Sequence, residues 1–156
     1  MLHTLQTRQL IHSDLDTVWT FMSDPRNLAR ITPSSLGFHI LSADAGTPMF
    51  AGQIIEYYVR PVLGIRWHWV TEITHVQDKQ FFVDEQRFGP YAFWHHKHLL
   101  QPTTEGVLMT DTVHYKLPLG PLGRLANSFF VARQLKQIFD HRYQQLDNLF
   151  TPTTRA

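Results

Sequence analysis

Cysteine is absent from the 156 residues of this chain. The protein therefore cannot form a disulfide, use a thiol as a nucleophile or bind a metal through thiolates. The absence also fits a reducing compartment. The N-terminus has no basic stretch followed by an apolar run and a cleavage site. We therefore expect a cytoplasmic protein.

An excess of one charge and a long apolar run are also lacking. The 14 Lys and Arg residues are balanced by 13 Asp and Glu residues, and no basic stripe stands out, so nucleic acid is not expected as a partner. No stretch approaches the ~18 uninterrupted apolar residues of a transmembrane helix. The length predicts one domain, which we place at residues 1–150, with a flexible tail at 151–156.

Aromatic residues, in contrast, are abundant. The chain has 11 Phe, 5 Tyr and 4 Trp residues, and 43% of all residues are hydrophobic. Such a composition can bury a large core. It fits a core rich in phenylalanine, and it fits equally well a pocket walled by aromatic rings.

Hydrophobic periodicity predicts the order of the elements. An opening strand at 2–11 precedes two short helices, the first with Ser13 as its N-cap and the second at 25–31. Alternation of apolar and polar residues then predicts strands joined by short turns, which pair antiparallel. These strands lie at 38–42, 52–60, 65–76, 81–88, 91–101 and 107–117.

The last segment, 121–150, has the period of an amphipathic helix. A helix of ~28 of these residues would run about 42 Å, enough to cross a sheet of six or seven strands. Because a helix and a sheet bury their apolar faces against each other, the fold class is predicted to be α+β. Arg142 lies within the apolar stripe, so it either pairs with a carboxylate of the sheet or extends to solvent at the helix edge. The predicted stripe comprises Leu122, Leu125, Phe129, Ala132, Leu135, Ile138, Phe139, Arg142, Leu146 and Leu149.

The last two strands are predicted to place a polar pair on the inner face of the sheet. A turn at 102–106 puts His96 opposite Asp111 and Trp94 opposite Val113. One interpretation is a satisfied pair that only stabilises the hairpin. The other is an imidazole that Asp111 orients toward a bound molecule, either as a contact or as a general base.

A metal site is a further interpretation of the same strands. His96 and His98 lie on one strand face about 6–7 Å apart, and Asp111 could be a third ligand. Nothing else at metal-ligand spacing supports this interpretation, so we expect no metal and no other cofactor. The orientation of Asp84 and Gln86, inward or outward, stays open.

Several short motifs, taken in order along the whole chain, resemble those of the START-like superfamily, also called SRPBCC. The resemblance implies the helix-grip fold, in which a curved antiparallel sheet wraps around a long C-terminal helix. It also implies binding of lipids, steroids, polyketides or quinone-like molecules. The most similar group contains small bacterial proteins described as polyketide cyclase/dehydrase-like. The motifs are Pro25-Arg26-Asn27-Leu28, Gly52-x-x-Ile55-x-Tyr57-x-Val59-x-Pro61, Trp69-x-Thr71-x-Ile73, Asp84-x-Gln86-x-x-Gly89-Pro90, Trp94-x-His96-x-His98, Asp111-x-Val113-x-Tyr115 and Pro118.

These observations predict a cavity of ~300–1,000 Å³ between the sheet and the helix. Its function would be to bind or carry a hydrophobic small molecule. The alternative is a polyketide cyclase or dehydratase in which His96 is the general base and Asp111 and Tyr115 are further catalytic candidates. The predicted lining is Tyr57, Trp67, Trp69, Trp94, His96, His98, Met109, Asp111 and Tyr115.

A third interpretation is a module for protein interaction or membrane delivery. It would use an apolar loop lip at the cavity mouth, since exposed apolar patches mark partner sites. A protein partner is therefore possible, although no motif specifies one. The predicted lip consists of Leu36, Pro48, Met49 and Phe50.

Overall fold

The computed structural model describes residues 1–42, 47–62, 64–122 and 130–151, and within them seven strands form one antiparallel sheet. The strand order across the sheet is β1-β7-β6-β5-β4-β3-β2, so β2 to β7 pair with their sequence neighbours and β1 pairs with β7. The predicted α+β class is confirmed. The strands are β1 (His3–Ile11), β2 (His39–Ile40), β3 (Ile54–Val62), β4 (Ile65–Gln77), β5 (Phe81–Phe88), β6 (Phe93–Thr103) and β7 (Gly106–Lys116).

Three short helical segments follow β1. The α-helix α1 spans Leu15–Met22, and two 3₁₀ helices span Pro25–Ile31 and Ser34–Leu36. The N-cap of α1 is Asp14, whose carboxylate accepts a hydrogen bond from the backbone N–H of Thr17 at 2.8 Å. The prediction of Ser13 as the cap is wrong by one residue. An aspartate at this position also interacts favourably with the positive end of the helix dipole.

The C-terminal helix, Ala132–Phe150, packs on the sheet through a narrower stripe than predicted. Ile138 is half-buried, whereas Leu122, Ala132 and Leu149 are exposed, contrary to the prediction. Val131 takes the place of Ala132 in the stripe, and Leu149 lies in the last turn. The predicted burial of Leu125 and Phe129 concerns residues outside the described part of the chain. The buried stripe is Val131, Leu135, Phe139, Arg142 and Leu146.

The register of β6 and β7 differs from the prediction by two residues. Trp94 is opposite Tyr115, His96 opposite Val113 and His98 opposite Asp111. The pairing continues to Thr103 and Gly106, so the turn contains only residues 104 and 105. A displacement by two residues keeps every side chain on its predicted face, because side chains alternate with a period of two.

Gly106, at the start of β7, allows a close approach of β1. Its φ is +143°, and a Cβ built there would lie 2.2 Å from the backbone oxygen of Ile11. Gly106→Ala should therefore separate β1 from β7 and lower the melting temperature. The control is Gly64→Ala, where φ is +70° and a Cβ would have no neighbour within 4 Å. That change should cost only the backbone strain, about 1–2 kcal/mol. Equal losses in the two variants would contradict the close approach at Gly106.

Phe139 is the aromatic anchor of the C-terminal helix and is 5% exposed. Phe139→Ala should lower the free energy of unfolding by about 3–5 kcal/mol, because it removes contacts and leaves a void. Leu149→Ala is the matched control on the same helix. Leu149 is 39% exposed, so its loss should cost well under half of that amount. Urea denaturation of both variants gives the comparison, and a Phe139 cost below about 1 kcal/mol would show that the buried stripe is misassigned.

Candidate functional site

A cavity lies between the sheet, the C-terminal helix and the short helices after β1. Its volume is about 160 Å³, which is smaller than predicted. Aromatic rings occupy much of the space: Trp69 packs edge-on against Trp94 at 5.4 Å and stacks with Tyr57 at 5.9 Å. A cavity of about 150 Å³ accommodates a benzene ring, so this cavity has room for a small ligand.

Five of the predicted lining residues lie on the wall of this cavity. They come from three strands, β3, β4 and β6, whose inward-facing side chains meet below the helix. The alternation that identified the inner face of these strands therefore located them correctly in space. Their part in binding a ligand stays a prediction. These residues are Tyr57, Trp69, Trp94, His96 and His98.

The other four predicted residues do not line it. Trp67 is half-buried and pairs with Val59, next to a bulge in the β3–β4 ladder. Tyr115 is buried against Tyr91 and Trp94.

Met109 and Asp111 lie farther along β7, on a second cavity of about 300 Å³ between β1, β7 and the helix. Arg142 and Phe139 line both cavities. In the ladder Asp111 is directly opposite His98 and not, as predicted, directly opposite His96.

The predicted apolar lip is divided between the interior and the surface. Leu36 is buried and Met49 half-buried, and both line the 160 Å³ cavity. Pro48 and Phe50 are exposed. The prediction of an exposed lip is therefore wrong for Leu36.

Two histidines and two aspartates form a polar cluster at one end of the cavity. Asp84 on β5 accepts a hydrogen bond from Nε2 of His98 at 2.8 Å, and its Oδ2 lies 3.3 Å from Nδ1 of His96. Asp111 accepts a hydrogen bond from Nε2 of His96 at 2.8 Å. Nδ1 of His98 is 2.8 Å from the same oxygen, but not in the direction of a hydrogen bond. The Trp94 indole N–H donates to the other oxygen of Asp84 at 3.2 Å.

Both aspartates and His96 have shifted pKa values. Burial alone would raise the pKa of Asp84 and of Asp111, but the neighbouring histidines outweigh it and lower both. Burial likewise opposes protonation of His96, yet the two carboxylates raise the pKa of this imidazole. The cluster therefore places separated charges at the end of an otherwise apolar cavity.

Arg142 of the C-terminal helix brings a further charge to the cluster. Its Nη1 lies 3.8 Å from Oδ1 of Asp111. Of the two predicted alternatives, Arg142 therefore follows the first and pairs with a carboxylate of the sheet. The guanidinium carbon lies 4.9 Å from the centre of the Phe139 ring. Nε and Nη1 are buried and have no hydrogen-bond partner among the described residues. Buried N–H groups without a partner are rare in proteins.

In the polar cluster, Asp84 and Arg142 are the residues that the predicted site did not contain, and Tyr91, Thr71 and Ile73 are further lining residues that it missed. Asp84 faces inward, directly opposite His96 in the β5–β6 ladder. Gln86 has a structural role. Its side-chain amide accepts a hydrogen bond from the backbone N–H of Tyr91 and donates one to the Tyr91 carbonyl, which closes the loop before β6. The sequence leaves the orientation of Asp84 open, because the face with Phe81 and Val83 is the more apolar one.

Comparison with known proteins identifies the family. The family of polyketide cyclase/dehydrase and lipid transport proteins matches residues 3–151, and the chain belongs to this family. The predicted resemblance of the chain to the START-like superfamily is thereby confirmed. No curated protein matches it in sequence.

Solved structures share the fold at low sequence identity. A protein from Chromobacterium violaceum has a TM-score of 0.72 at 14% identity, with 96% of this chain and 98% of that chain covered. A START superfamily protein from Mycobacterium smegmatis has a TM-score of 0.71 at 14% identity, with coverages of 97% and 99%. A protein from Thermus thermophilus has a TM-score of 0.68 at 13% identity, with 97% of this chain and 99% of that chain covered. Among the described residues, no helix has both the length and the apolar character needed to cross a bilayer.

Asp111 carries the buried negative charge nearest to both histidines and Arg142. Asp111→Ala should lower the free energy of unfolding by about 3–5 kcal/mol, because it leaves buried cationic groups without a partner. Glu85→Ala is the matched control. Glu85 pairs with His95 at 2.9 Å on the opposite face of the sheet, where both side chains are partly exposed. The control should change stability by at most about 1 kcal/mol. Chemical denaturation of both variants measures the difference, and similar losses would contradict the burial of the Asp111 charge.

Proposed function

We propose that this protein binds a small hydrophobic molecule that carries an oxygen at one end. The observation behind the proposal is the combination of an aromatic cavity with a buried guanidinium that has two N–H groups without a partner among the described residues. An aromatic wall favours an apolar body, and a few placed polar groups orient it. A carbonyl or carboxylate oxygen near Arg142 would supply the missing hydrogen-bond acceptor.

The family supports the same class of ligand. Lipids, polyketides and quinone-like molecules all combine an apolar body with oxygen atoms, and the family description names polyketide chemistry and lipid transport. The cavity volume favours a ligand portion of one or two rings, or a short chain. Carriage of such a molecule would require no chemistry from the polar cluster.

The enzyme alternative, with His96 as general base, has less support from the geometry. A general base needs a free lone pair directed at the substrate proton. Both ring nitrogens of His96 lie against carboxylate oxygens, at 2.8 and 3.3 Å. Neither nitrogen is therefore available for a substrate in this arrangement.

Native mass spectrometry of the purified protein tests for a retained ligand, which should be lost on denaturation. Titration with 1,4-naphthoquinone and with naphthalene then tests the polar end, because both have the same fused ten-carbon skeleton and only the quinone carries carbonyl oxygens. The quinone should bind the unmodified protein about ten- to a hundredfold more tightly, as expected for a hydrogen bond to a charged donor of about 1.5–3 kcal/mol.

Arg142→Met should remove this preference for the quinone while retaining the binding of naphthalene. Arg133→Met, at an exposed position of the same helix, is the control and should keep the preference. Failure of both molecules to bind would contradict the binding function. Equal binding of both by the unmodified protein would contradict only the role of Arg142.

A further inference from the structure

The atoms of three side chains in the polar cluster converge on one point beside the cavity. Nδ1 of His96, Nε2 of His98 and a carboxylate oxygen of Asp84 all lie within 4.8 Å of one another. Asp84 Oδ2 is 3.3 Å from the first nitrogen and 2.8 Å from the second. Tetrahedral coordination with bonds of 2.0–2.1 Å separates ligand atoms by about 3.3 Å. Small side-chain adjustments would therefore bring the three atoms to coordinating distance.

The groups behind these three atoms have the arrangement that supports metal ligands. Histidines that bind metals usually donate their other ring N–H to a carboxylate or carbonyl. Asp111 lies on that other side of both rings. It accepts a hydrogen bond from Nε2 of His96 at 2.8 Å, and Nδ1 of His98 is also 2.8 Å from it, although not in the direction of a hydrogen bond. The Trp94 indole N–H donates a hydrogen bond to Oδ1 of Asp84, and Oδ2 faces the histidines.

The two imidazoles are also close enough to share one ion. Their ring centres are 3.7 Å apart, and the carboxylates of Asp84 and Asp111 lie on either side of them. An ion bound between Nδ1 of His96 and Nε2 of His98 would leave the other nitrogen of each ring on the side of Asp111.

We infer that Asp84, His96 and His98 form a binding site for a divalent transition-metal ion, with Asp111 orienting both histidines from behind. Two imidazoles and one carboxylate suit zinc and the neighbouring divalent metals, and three protein ligands leave further coordination positions open. All three ligands line the 160 Å³ cavity, so the open positions face it. The inference differs from the sequence-based expectation of no metal, and it assigns Asp84 rather than Asp111 as the third ligand. The inference is independent of the proposed binding of a hydrophobic molecule.

Calorimetric titration of the chelator-treated, tag-free protein with Zn²⁺ alone tests the site. The unmodified protein should bind one equivalent with high affinity. Asp84→Asn should weaken this binding by more than about 100-fold, since it removes the anionic ligand. Asp111→Asn should weaken it by about 10- to 100-fold, as changes to the partners of metal-bound histidines do.

The control is the pair on the opposite face of the same strands, His95→Gln with Glu85→Gln. This double variant removes a histidine–carboxylate pair of similar length but should leave zinc binding unchanged. Circular dichroism checks that each variant is folded, and His98→Gln replaces Asp84→Asn if the latter does not fold. X-ray absorption of the zinc-loaded unmodified protein, which needs no variant, should show two imidazole ligands.

Two results would overturn the inference. The first is the absence of a one-to-one site in the unmodified protein. The second is a site that survives in folded Asp84→Asn or His98→Gln, or whose X-ray absorption shows fewer than two imidazoles. The first would mean that the cluster is only a network of hydrogen bonds, and the second that the zinc is held by other histidines of the chain.

Discussion

The position of β6 between its two neighbours is the constraint on which the rest of the site depends. Its pairing with β5 places Asp84 opposite His96, and its pairing with β7 places Asp111 opposite His98. Each histidine thus has a carboxylate directly across one strand boundary and a second one diagonally across the other. Because buried charges are tolerated only when they are paired, a slip of one residue in either ladder would leave several of them without partners. The strand register and the polar cluster therefore stabilise each other.

The C-terminal helix completes this arrangement from the other side. Phe139 covers His96, with ring centres 5.6 Å apart, and Arg142 places its charge beside Asp111. Both residues belong to the buried stripe that attaches the helix to the sheet. The helix is consequently a wall of the cavity, a cover for the cluster and a source of positive charge. A molecule that enters the cavity would contact the same side chains that hold the two layers together.

Much of the fold could be predicted from the sequence, because it follows from local alternation. Strand β5 has its predicted bounds, and Trp94, His96 and His98 lie on the predicted face. The predictions that were wrong, of the β6–β7 register and of the cavity volume, depended on distances across the fold. The turn after β6 is two residues long, which no local pattern distinguishes from a longer one, so the register was wrong although the faces were right. The cavity volume depends on how far rings such as Trp69 extend toward the helix, which alternation does not report.

The inward carboxylate of Asp84 shows why the site was harder to predict than the fold. Strand β5 alternates Phe82 and Asp84 on one face with Phe81 and Val83 on the other, so hydrophobicity alone favours the wrong face as the inner one. The ladder with β4 is irregular between Ile73 and His75, which prevents the orientation of β5 from being transferred from β4. Only the pairing with β6 decides it, because His96 and His98 supply the partners that an inward carboxylate needs. A polar residue on an ambiguous strand is thus best assigned from the groups across the ladder, and by this argument Asp84 belongs with the histidines.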